Sequence, residues 1–164
     1  MKKIVFFFLI SVFTLTSCKK KDSSTDDTTG PLFEVYDVTG SKVNDNHEFV
    51  FNTVDQSAQL NLIVKNLTGE TLKLKTKLTS VTGTDGSMFE FCFGNCYVGM
   101  QQGTAYPVGS TLDVAANQTT SPNDIHYLNH YDGGNATYNV VIYAVDDNGN
   151  QKGDEFHFVY KYQP

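Results

Sequence analysis

The chain has 164 residues, with 12 lysines, no arginine and 18 acidic side chains, giving a formal charge of −6; it carries 12 Phe, 9 Tyr and no Trp. Once a leading segment is set aside, about 130 residues remain, enough for one core but not for a core plus a cofactor domain, so a multidomain enzyme is excluded. An acidic chain without a guanidinium lacks the bidentate grip on phosphate that nucleic-acid binders use, so no nucleic-acid partner is expected.

Residues 1–17 read as a signal peptide. Met1-Lys2-Lys3 supplies a positive start, and Ile4 to Phe13 an apolar run too short to cross a bilayer as a permanent helix. Leu15-Thr16-Ser17-Cys18 then resembles the bacterial lipobox, which implies lipidation of Cys18. Two acyl chains suffice for stable anchoring, so the chain is expected to be held to a membrane without spanning it. Residues 18–30 form the lipidated tether. From Lys19 to Gly30 there is no large apolar residue, and such a segment cannot offset the entropy of ordering itself. Lys21-Asp22 and Asp26-Asp27 resemble in part the surface-export signals of Bacteroidetes lipoproteins, and Asp27-Thr28-Thr29 resembles a short O-glycosylation acceptor. The expected location is the outer membrane, on the cell surface or the periplasmic face.

Residues 31–164 form the domain. Apolar residues there recur with period two, and no stretch keeps helical spacing over three turns, so the fold class is all-β. The expected strands are Leu32 to Val38, Glu48 to Phe51, Ala58 to Asn66, Leu72 to Leu78, Met88 to Phe93, Thr111 to Val114, Ile125 to Tyr131, Tyr138 to Val145 and Phe156 to Tyr162. In the fourth, leucines 72, 74 and 78 share one face, and Lys73, Lys75 and Lys77 form a solvated row on the other. In the last, Phe156, Phe158, Tyr160 and Tyr162 alternate with polar positions as a core strand does. Asp146-Asp147-Asn148-Gly149-Asn150 reads as a tight hairpin tip between the last two. Short strands at this spacing predict an immunoglobulin-like two-sheet antiparallel sandwich of about 7–9 strands. A jelly roll is the alternative.

Three cysteines look odd in an exported protein until Cys18 is assigned to lipid, which leaves Cys92 and Cys96 to form a disulfide across the turn Phe93-Gly94-Asn95. The rival readings are a redox dithiol and half of a metal site; C-x3-C spacing and the lack of a second cysteine pair weigh against both.

Phe89-Glu90-Phe91-Cys92-Phe93-Gly94-Asn95-Cys96-Tyr97, a polar loop with Pro107 and Gly109, His130-Tyr131 and the hairpin from Tyr138 to Tyr162 together resemble an immunoglobulin-like domain of Bacteroidetes exported lipoproteins. The likeness covers about residues 85–164. It implies a fold and a cell-envelope location and transfers no catalytic residue.

Chemistry-bearing residues are sparse. Of His47, His126, His130 and His157, the middle two share a strand face, yet four residues of strand set them ~13 Å apart, too far for one ion. Asp146, Asp147, Asn148, Asn150 and Asp154 are oxygen-rich and are the candidates for a weak calcium site. The EF-hand register fails, however, with Gln151 at the sixth position and His157 at the twelfth. No nucleophile elbow, phosphate loop or dinucleotide loop occurs, so neither catalysis nor a cofactor is expected. The expected role is a non-enzymatic, membrane-anchored module for adhesion, assembly or recognition, with a protein or glycan partner. The alternative is a carbohydrate-binding accessory lipoprotein in which Tyr97, Tyr106 and Tyr127 stack on sugars.

Overall fold

The computed structural model describes residues 30–164. The signal peptide, Cys18 and the tether up to residue 29 lie outside the described residues. Eleven strands follow in order: β1 (Phe33–Asp37), β2 (His47–Phe51), β3 (Leu60–Asn66), β4 (Leu72–Thr82), β5 (Phe89–Phe93), β6 (Asn95–Val98), β7 (Ala105–Tyr106), β8 (Leu112–Val114), β9 (Ile125–Asn129), β10 (Ala136–Val145) and β11 (Gln151–Tyr162). They form a five-stranded sheet, β1-β3-β9-β5-β6, facing a six-stranded one in which β2-β11-β10-β4-β7 is the main path and β8 also pairs with β4. The all-β two-sheet sandwich expected from the sequence is the fold.

Alternation builds the core between the sheets. On β3, Leu60, Leu62 and Val64 are buried while Asn61, Ile63 and Lys65 are only partly so, and β11 repeats the pattern with Phe156, Phe158, Tyr160 and Tyr162 turned inward. Burying each such side chain contributes roughly 1.5–3 kcal/mol. The aromatic rings pack face to face or edge to face: Phe89 lies 3.9 Å from Tyr138 between centroids and Tyr127 5.0 Å from Phe158. Buried hydroxyls are paired. Tyr160 donates to the Ala58 carbonyl at 2.9 Å, and Tyr138 to the Asn129 side-chain oxygen at 2.6 Å. Burial pushes the Tyr160 hydroxyl up to about 12 and raises that of Tyr127 as well.

Four details differ from the sequence reading. Among the described residues the strands number eleven rather than seven to nine, because the stretch from Asn95 to Tyr106 contributes two short strands, β6 and β7, at sheet edges. Ala58 closes a 3-10 turn capped by Asp55 instead of opening a strand. β11 starts at Gln151, since a register shift between Tyr143 and Ala144 lets Gln151 and Lys152 pair with Val145 and Ala144. One pair is parallel: β2 runs beside β11 with Phe49 opposite Tyr160, so the sandwich is not wholly antiparallel.

The lysine row of β4 lies on the outer face as its period requires, and each lysine is tied down. Lys73 meets Asp147 at 2.7 Å, Lys75 donates to the Pro107 carbonyl at 2.8 Å, and Lys77 sits 5.0 Å over the Tyr143 ring. The lysine stems thereby accompany a small apolar cluster of Val141, Tyr143 and Val145 on that face.

Candidate functional site

Strand β6 ends the five-stranded sheet, and the chain leaving it loops back to β7 at the edge of the opposite sheet. β5 and β6 are joined through Gly94, whose φ of 70° supplies the left-handed turn, and Cys92 and Cys96 are direct register partners joined by a disulfide. Between this hairpin and the loop that follows lies a groove of about 600 Å³, lined by residues 85–87, 97–101, 104, 106 and 108. Its floor is aromatic. Tyr97 stacks on Phe91 at 5.2 Å, and Tyr106 packs edgewise against both rings at 4.9 Å. Both phenols hold the loop in place: the Val108 amide donates to the Tyr97 oxygen at 3.2 Å, and the Gln101 amide to that of Tyr106 at 3.2 Å. Val98, 77% exposed, and Val108, 63% exposed, stand at the mouth.

Asp85 is the one ionisable carboxylate among the lining residues. The Ser87 hydroxyl donates to it at 2.6 Å and the Ser87 amide at 2.9 Å, and these bonds hold its carboxyl below the ordinary range. The groove thus offers a ring face, apolar walls and one anionic point.

Of the three tyrosines expected to stack on sugars, two meet here and one does not. Tyr127 is wholly buried, its hydroxyl 3.1 Å from Thr76 Oγ1, and no ligand can reach its ring. Its inward position follows from β9, where Ile125, Tyr127 and Asn129 face the core opposite His126 and His130. Tyr106 is also largely covered and acts as the groove's inner wall; Tyr97 carries the accessible ring.

The calcium candidates do not converge. Asp146 accepts from the Asn148 amide at 2.9 Å and the Asn150 amide at 2.8 Å, which is the hydrogen bonding of the hairpin tip. Asp147 pairs with Lys73, while Asp154 lies on β11 beside a different groove. Among the described residues no three His, Cys, Asp or Glu side chains are placed to hold a metal ion.

Sequence reasoning missed Glu90. It stands opposite Leu128 on the outer face, and its carboxylate reaches between the two histidines, 2.8 Å from His130 Nε2 and 3.9 Å from His126 Nε2. The register of β5 against β9 creates that meeting, and no local pattern announces it.

A second groove, about 740 Å³, runs between residues 31–35, 42–45 and 153–157. Three of the polar side chains lining it are engaged: Glu34 with Lys42 and with Tyr36, and Asp45 with the His157 amide. The β1 edge above it is covered, because Val43 donates to the Val35 carbonyl and Asp37 to that of Ser41.

Comparison with known proteins gives no matching family model and no matching curated protein. Solved structures do match. The N-terminal domain of PorA aligns with a TM-score of 0.51 and 13% identity over 79% of this chain and 96% of that one. PapD-like domain 7 of human CEP192 gives 0.48 and 9% over 99% and 96%, and the class 5 fimbriae chaperone CfaA gives 0.44 and 10% over 80% and 56%. The chain is an immunoglobulin-like β-sandwich, and at these identities the likeness defines the fold alone.

Proposed function

We propose that the protein is a non-enzymatic, lipid-anchored component of the cell envelope whose sandwich serves as a recognition or assembly module through the β6 groove. The observation that carries this reading is the pairing of an uncovered sheet edge with an aromatic-floored groove, Tyr97 at its mouth, on a hairpin braced by the Cys92–Cys96 disulfide. Pre-organisation of that kind lowers the entropy lost on binding. The lipobox-like segment ending at Cys18 supports the anchor, and the resemblance over about residues 85–164 supports a Bacteroidetes-type exported lipoprotein.

A carbohydrate ligand is the second reading, favoured by one specific observation: the half-buried Tyr97 ring stands beside Asp85, Gln101 and Thr104, the mix of ring face and polar groups that neutral sugars use. A glycan array with the full chain and its Tyr97→Ala variant tests it, and an absence of binders at millimolar affinity removes it. Incubation with glycan and peptide substrates tests the non-enzymatic reading. The expected result is no turnover; turnover abolished by one point substitution would make the protein an enzyme.

A further inference from the structure

The hydrogen bonds of the five-stranded sheet fix which backbone groups of β6 are free. Gly99 donates to the Phe89 carbonyl, whereas Gly94 donates to Asp124 and His130 to Met88. Odd residues of β5 therefore bond toward β6 and even ones toward β9. With Phe91 opposite Tyr97 and Phe93 opposite Asn95, the N–H and C=O groups of Tyr97 and Asn95 turn inward, and those of Cys96 and Val98 point away from the sheet. Among the described residues nothing pairs with them.

Edges so exposed are ordinarily blunted by lysine, proline or a bulge. The sequence Asn95-Cys96-Tyr97-Val98 has none of these, and its register with β5 is unbroken. The opposite edge of the same sheet is closed by residues 41–43.

We propose that β6 takes up an extended peptide segment of another protein as an added strand, placing an apolar side chain in the groove. This deepens, and rests on, the recognition reading above. An added strand would bond to the donors and acceptors of Cys96 and Val98, and the residue opposite Tyr97 would turn its side chain toward Tyr97, Tyr106 and Val108. Its neighbours would lie over Val98 on the outer face, where Glu90 is Val98's register partner. With Asp85 the one carboxylate lining the groove and Glu90, which also meets His130 at 2.8 Å, on the outer face, the fitting segment alternates bulky apolar residues with threonine and lysine or arginine. Charge complementarity and the demand for an unprotected backbone both point to a cationic extended peptide rather than a sugar.

The test uses the isotope-labelled full chain and an end-capped synthetic peptide that alternates Phe or Val with Thr and Lys. The expected result is amide exchange slowed at Cys96 and Val98 on addition of peptide, with binding weakened about tenfold by Tyr97→Ala. A peptide N-methylated at the residues facing β6 is expected not to bind, a control independent of any variant's folding. Equal binding of the N-methylated peptide, or unprotected Cys96 and Val98 amides at millimolar peptide, overturns the proposal. So does protection of those amides in a peptide-free dimer seen by sedimentation, which would make a second copy the occupant. Glycan binding that depends on Tyr97, with no response to peptide, defeats strand addition and leaves recognition at the groove standing; failure of both probes removes both readings.

Discussion

Asn129 shows how a single polar residue organises the core. It is fully buried, accepts from the Tyr138 hydroxyl and the Tyr131 amide, and donates to the Tyr131 carbonyl at 2.7 Å. Asn129→Leu keeps the number and branching of the heavy atoms but strands the Tyr138 hydroxyl, and urea denaturation is expected to show a loss of about 2–3 kcal/mol. Exposed aspartates act differently. Asp37, Asp55, Asp85 and Asp146 are each held below the ordinary carboxyl value of 3.8, chiefly by the side chains of Thr39, Ser57, Ser87 and Asn150. A carboxyl whose folded value is depressed contributes stability above its unfolded value and loses it as pH falls through the folded one. The urea midpoint is therefore expected to hold near neutrality and to fall below about pH 4, with a shallower fall in Asp146→Asn. At this scale the sequence was only half legible. The shared face of His126 and His130 already implied that Tyr127 pointed the other way, into the core, but nothing local showed Glu90 reaching between them.

Among the elements, the β5–β6 hairpin joins fold to function. The disulfide closes a loop with a sequence separation of 4, so it restricts little of the unfolded chain. Cys92→Ala with Cys96→Ala is expected to cost about 2 kcal/mol in chemical denaturation and to speed amide exchange along β6. Gly83, at the end of β4, has a φ of 82°, and a Cβ there would run into the Asn135 carbonyl oxygen where β10 begins. Gly83→Ala must therefore shift backbone, and a loss above about 1 kcal/mol is expected from thermal unfolding. Long strands such as β4 and β11 were legible because period two persists through them. β6 and β7 were not, since four and two residues are too few to show a period, and tertiary pairing alone defines them.

For the molecule as a whole, alternation and turn chemistry led to a two-sheet sandwich because each strand buries one face. The parallel pairing of β2 with β11 was hidden, as strand order depends on which edges meet after the sheets form. The groove was hidden for the same reason: Tyr97 and Tyr106 come from different sheets and meet only across the open side of the sandwich. The central claim is that this open side is where the protein meets its partner. Photo-crosslinking in living cells of the native host, with a photoreactive residue at position 98 on β6 or at position 50 on β2, tests it most directly. Both positions are more than half exposed, so they report on place rather than access. The account predicts a discrete adduct from position 98 that disappears with Tyr97→Ala, and none from position 50. No adduct from position 98, or equal labelling from both, would contradict it.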